Sequence, residues 1–220
     1  MVRSTPKLRK PVRPYHHGNL RRALLDEALE TIARDGVEGL TLREIGARLG
    51  VSRTALYRHF ADKQSLLAAV ASEGFRTLRQ RLVTAWEDGR DRAAFEAMGV
   101  AYVGFAVANP AHYRVMFGSA LGATADNTNA IDCDLTAEAE GAFQALVDAI
   151  GALQRDAIVR DEDSLTMARF VWAVVHGVAM LAIDGQLREA GAVERLTHYA
   201  IERLRTGIAG AQPAPRRRRR

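Results

Sequence analysis

The sequence predicts an all-α protein, with a small N-terminal helical domain followed by a larger helical one. Three observations point that way. Apolar residues recur three and four positions apart through most of the chain, the spacing of one face of an α-helix. Strict apolar–polar alternation is nearly absent, and no Asn-Gly or Asp-Gly pair sits between apolar runs as a hairpin would require. Capping residues and turn glycines or prolines stand at the ends of several periodic segments. At 220 residues, 48% apolar and 26% charged, the chain is long enough for a sizeable core. That composition excludes collagen-like, mucin-like and wholly disordered classes.

The elements follow in order. A first helix is expected from about Asn19 to Arg34, with Leu20, Leu24, Ala28, Leu29 and Ile32 on one face, Asn19 as N-cap and Gly36 closing the end. A second begins at Thr41, where Thr41-Leu42-Arg43-Glu44 fits a capping box and Leu42, Ile45 and Leu49 form the stripe. Gly50-Val51 reads as a tight turn, and Ser52 caps a short third helix from Arg53 to Phe60. Asp62 caps a fourth, running to about Leu82. Longer helices are then expected over Arg92–Ala108, Ala111–Phe117, Leu135–Leu153, Leu165–Ile183 and Val193–Ile208. Asn109-Pro110 separates the first two, since proline disfavours helix before it and starts helix well. The small, polar stretch Gly118–Asp134 reads as a loop. The division expected is an arm over 1–18, a helical domain over 19–64, a second over 65–210 and a tail over 211–220.

Charge is unevenly placed. The formal net charge is +5, yet residues 1–63 hold 13 Lys/Arg against 7 Asp/Glu, while residues 64–215 hold 13 against 19 and Arg216–Arg220 add five more. Seven of the basic residues fall within the first 22, beside Pro6, Pro11 and Pro14. This predicts a flexible basic arm that attracts a polyanion. The terminal arginines read as a basic disordered tail. Cys133 is the single cysteine and cannot form an internal disulfide, which fits a reducing compartment. The first 22 residues have no apolar h-region. The longest apolar run, Phe170–Ile183, has 14 residues and contains His176, short of the roughly 20 a membrane span needs. The expectation is a cytoplasmic protein with no membrane partner.

Residues 41–60, TLREIGARLGVSRTALYRHF, have the helix–turn–helix pattern. Two helices cross steeply only across a short turn and a small apolar inner face. Ala47 is expected to allow the close approach and Gly50 the turn. Ile45, Val51 and Leu56 fill the wedge, closed by Leu20, Leu24 and Phe60. Arg53, Thr54, Tyr57, Arg58 and His59 then face outward on a helix of the right width for the DNA major groove.

The stretch GVEGLTLREIGARLGVSRTALYRHFADKQSLL resembles the N-terminal DNA-binding domain of the TetR family of bacterial transcriptional regulators. The ending Tyr57-Arg58-His59-Phe60, followed by Asp62-Lys63 and by Leu66 and Leu67, is its most specific part. The resemblance implies a homodimer on a double-stranded DNA operator, with a C-terminal helical domain that senses a ligand and dimerises. By matching position it implies phosphate contacts from Thr41, His59 and Lys63, and recognition-helix contacts from Arg53, Thr54 and Tyr57. Arg43 and Arg58 complete the expected DNA-binding set.

Two later patterns resemble a branch of that family with a Trp–His–Gly signature: Asn109-Pro110-Ala111-His112-Tyr113-Arg114-Val115-Met116-Phe117, and Trp172 with His176-Gly177. Trp172 and His176 are four apart and share one helix face. Tyr102, Phe105, Met116, Phe117, Phe143, Trp172, His176 and Met180 either line a pocket for a small apolar or aromatic effector or are plain core. His176 either bonds a ligand or is structural. The segment Leu165–Ile183 is apolar nearly all round and needs cover on two sides, and Val193–Ile208 is amphipathic. Two such helices from each of two subunits would make a four-helix bundle. An activator or a partner-controlled regulator is a second reading. An α-helical enzyme is a third, but no paired carboxylates, Ser/His/Asp order, phosphate loop or metal-ligand spacing is present. Asp132-Cys133-Asp134 is the one dense cluster, and it is expected in a loop. No catalytic residue, metal or cofactor is expected.

Overall fold

The computed structural model describes residues 20–119, 121 and 131–208. Among them lie nine helices and no strand: α1 Leu20–Asp35, α2 Leu42–Leu49, α3 Arg53–Tyr57, α4 Lys63–Glu87, α5 Arg92–Ala108, α6 Pro110–Phe117, α7 Ile131–Arg155, α8 Ser164–Ile183 and α9 Ala192–Ile208. The expected N-cap Asn19, the basic arm and the arginine tail lie outside the described residues.

The ends of the helices are set by local chemistry. Gly36 has φ +75, the left-handed conformation only glycine adopts freely, and its N–H closes on Ile32 O. Asp62 caps α4 in a true capping box: Ser65 N donates to Asp62 Oδ1 at 2.7 Å and Asp62 N to Ser65 Oγ at 3.2 Å. Thr41 makes only half of the box expected of it. Glu44 N donates to its hydroxyl at 3.3 Å, but the Glu44 carboxylate takes the hydroxyl proton rather than a backbone amide. Asp91 and Asp163 cap α5 and α8 through Ala94 N and Thr166 N.

Several boundaries differ from expectation. α3 stops at Tyr57 because the amides of both His59 and Phe60 turn back to Leu56 O, which lets Phe60 bury. α4 runs on to Glu87, past buried Leu82. α6 begins on Pro110 itself, where the missing N–H costs nothing. α7 begins at Ile131, so Asp132, Cys133 and Asp134 stand in a helix rather than in the expected loop.

α4 is the central rod. It packs on α1 at one end and on α5, α6 and α7 along its length. α8 and α9 pack together against α5, with α8 also against α7. By length and composition α8 could cross a membrane, with 20 residues and mean hydropathy 1.6, longer than the 14-residue run alone indicated. Here Met167, Ala168, Val171, Val175 and Ala179 bury its inner face within the helical domain.

Candidate nucleic-acid interface and apolar cavity

The wedge between α2 and α3 is built on Gly46, not on Ala47. Leu42, Ile45 and Gly46 are buried on the inner arc of α2. A Cβ on Gly46 would come within 3.0 Å of Leu56 Cδ1, so only hydrogen fits comfortably. Ala47 lies about 100° further round and is exposed. Gly50 then turns the chain in the left-handed region at φ +67, and Val51 N closes on Gly46 O at 3.0 Å. Arg48 pairs with Glu27 at 3.2 Å and ties α2 to α1, while the Arg21 guanidinium covers the Phe60 ring.

This packing leaves one polar surface. Thr41, Arg43, Arg53, Thr54, Arg58 and His59 are exposed, Tyr57 is 54% exposed, and Lys63 is half-buried at the α4 N-terminus. Among the described residues, Arg43, Arg53, Arg58 and Lys63 form no ion pair, whereas Arg22, Arg34 and Arg48 do. Four cations without an ion pair thus stand on α2, at α3 and at the start of α4.

A cavity of about 340 Å³ lies between α4, α5, α7, α8 and α9. Tyr102, Phe117, Phe143 and Trp172 line it, with Phe75, Leu78, Leu146 and Val175 among the other walls. Trp172 meets Phe117 and Phe143 at 6.1 Å each. The other four residues expected there do not reach it. Phe105 is fully buried against Tyr113, and Met116 turns toward Gly74 on α4. Met180 is packed against the core two turns beyond Trp172. His176 lies behind the wall, stacked on Tyr113.

Behind that wall runs a chain of hydrogen bonds. Trp172 Nε1 donates to the Tyr102 hydroxyl at 2.9 Å, which is 2.9 Å from that of Tyr113, itself 2.7 Å from His176 Nδ1. One proton order gives every link in this chain a donor and an acceptor: Tyr102 donates to Tyr113, and Tyr113 to Nδ1 of a neutral imidazole. Burial agrees with it. It pushes Tyr102 up to about 12, raises Tyr113 further and lowers His176.

Residues 24–70 match the family described as bacterial regulatory proteins, tetR family, and residues 95–204 match the tetracyclin repressor-like C-terminal domain. The chain belongs to the TetR family of DNA-binding transcriptional regulators. A protein of unknown function from Rhodococcus sp. RHA1 superposes with a TM-score of 0.75 at 33% identity, over 90% of this chain and 99% of that one. The uncharacterized HTH-type transcriptional regulator YobS of Bacillus subtilis is 27% identical over 97 residues, and the class C tetracycline repressor of Escherichia coli 49% identical over 51. The chain spans 51% of the length of the former and 23% of the latter.

In this TetR chain the helix–turn–helix end and the cavity end are joined by residues that sequence reasoning passed over. Arg22 of α1 bonds Glu73 of α4 at 2.7 Å, and His112 of α6 faces the same carboxylate at 3.7 Å. Beside them Gly74 admits Met116, where a Cβ would collide with the thioether. Glycine inside a long helix was the available signal for that contact. Tyr113 stood within the quoted Asn109–Phe117 stretch, but its bond to His176 spans 63 positions.

Proposed function

We propose that this TetR-family regulator is a homodimeric repressor of an inverted-repeat operator, released when a small apolar or aromatic effector enters the cavity. One observation carries the reading: the cavity is walled by Phe75 of α4 and Phe117 of α6, and Glu73 of α4 bonds Arg22 of α1 while facing His112 of α6. An effector that binds better to one spacing of the two recognition helices shifts the population toward it by its differential affinity. In this reading Arg53, Thr54, Tyr57 and Arg58 meet base edges, while Thr41, Arg43, His59 and Lys63 hold phosphates. The arm over 1–18 adds phosphate contacts, residues 19–64 form the DNA-binding domain, residues 65–210 sense and dimerise, and the protein acts in the cytoplasm.

The dimer is supported by apolar surface on α8 and α9. Phe170, Leu181 and Tyr199 are each more than two-fifths exposed, and Ala173 and Gly177 lie at helical spacing between the first two. Two copies of this pair fit a four-helix bundle.

The test is footprinting on the DNA flanking the gene, followed by titration with n-decanol as an apolar probe. A symmetric protected site whose affinity falls as the probe saturates is expected, and Ala142→Trp, which fills the cavity, should abolish the response. A site without inverted symmetry, or affinity unchanged at saturation, overturns the reading.

A further inference from the structure

We infer that the cavity takes an amphipathic anion, an apolar body ending in a carboxylate that Arg169 holds, with Arg92 as a second cation. The inference rests on the cavity being the effector site and adds the chemical class of what enters it.

The lining is apolar but for Tyr102 and four charged residues: Arg92, Glu96, Arg169 and Arg205. Glu96 and Arg205 face each other at 3.8 Å and offset one another. Arg92 donates to Ile158 O at 3.3 Å, a neutral acceptor, and forms no ion pair among the described residues. Arg169 makes no hydrogen bond or ion pair among the described residues. The carboxylate in its field, Asp163, is already engaged as the α8 N-cap by Thr166. Arg92 and Arg169 are both exposed, so two cations stand at the rim of an otherwise apolar space. The formal balance of residues 64–215 is acidic, yet the cavity lining is net basic, because the acidic groups lie elsewhere.

The Trp172 end offers the opposite. Its indole N–H is spent on Tyr102, the Tyr102 and Tyr113 protons are spent on Tyr113 and on His176 Nδ1, and His176 itself does not line the cavity. A ligand meets no free donor there, so that wall suits its apolar body. The unmet hydrogen-bonding capacity is donor capacity on guanidinium groups, which a carboxylate satisfies two bonds at a time. Arg169 precedes Trp172 by three residues, so head and body subsites share one face of α8. Along α5 the lining runs from Arg92 to Tyr102, about 15 Å of helix, which suits an elongated body.

The experiment compares probes that share a body and differ at the head: decanoate against n-decanol, and naphthoate against naphthalenemethanol. Binding is read by tryptophan fluorescence and calorimetry on the full chain. The carboxylates should bind about tenfold or more tightly than their neutral partners. Arg169→Gln should remove most of that preference by weakening the carboxylates far more than the alcohols, and added salt should weaken only the anions. Whichever carboxylate binds more tightly identifies the body as chain or ring. Equal affinities for acid and alcohol, or a preference that survives Arg169→Gln, overturn the inference and leave the effector cavity standing. Failure of every probe to bind removes the cavity reading as well.

Discussion

The Tyr113 hydroxyl of α6 lies 2.7 Å from Nδ1 of His176 on α8, and the donor order Trp172–Tyr102–Tyr113 makes Nδ1 the acceptor of a neutral imidazole. A protonated ring would present a donor at Nδ1 and force the tyrosine chain to reverse, stranding the Tyr102 proton between the donors of Tyr113 and Trp172.

Acid should therefore destabilise the fold. Burial holds His176 below its ordinary value of about 6.5, and burial does the same at His112 despite Glu73. Between the lowered folded values and 6.5 the unfolded chain binds protons that the folded chain refuses, so stability rises with pH there and falls on acidification. Tm should drop from about pH 7.5 to about pH 5.5. His176→Asn keeps an acceptor without titrating, so it should lower Tm at neutral pH yet flatten that slope. A slope equal to the wild type would remove His176 from the effect.

Gly50→Ala should cost about 1 kcal/mol, because an added Cβ strains the left-handed residue that turns α2 into α3. Gly46→Leu should cost more, about 1–3 kcal/mol, by forcing α2 away from Leu56. Denaturant unfolding measures both. The reverse order would mean that the turn, not the wedge, limits the crossing.

Base and phosphate contacts should separate by specificity. Lys63→Ala should weaken operator and random duplex about equally, and Arg53→Ala should weaken the operator more, by about 1–3 kcal/mol. Anisotropy titrations on both duplexes decide it. Equal losses from the two variants would place α3 outside the groove.

Phe170→Glu together with Leu181→Glu should give a monomer at micromolar concentration, since two carboxylates would be buried without partners. Sedimentation reads the mass. The same variant should lose operator affinity, because a single recognition helix engages only a half-site. A dimer that persists moves the interface off α8.

The helices of this chain were legible because their signals are local. Periodicity, Thr41, Ser52 and Asp62 as caps, and the left-handed glycines 36 and 50 act within about one turn of helix, so the helix–turn–helix and its outward set of residues can be read directly. Phase is weaker. One residue decided between Gly46 and Ala47 in the wedge, since small side chains at both positions fit the pattern and only the crossing against Leu56 distinguishes them.

The cavity belongs to tertiary structure. A stripe of aromatic and sulfur side chains marks what is apolar, but not which members meet. Tyr102 and Trp172, 70 positions apart, face one space, whereas Phe105 and Met116 were drawn into the core by Tyr113 and by the gap at Gly74. The charge of that space was equally beyond the sequence. Net charge sums over a whole surface, while a ligand responds to the few groups within a Debye length of about 8–10 Å. Only the packing of α5, α8 and α9 brought Arg92, Arg169 and Arg205 to one apolar pocket with a single carboxylate among them.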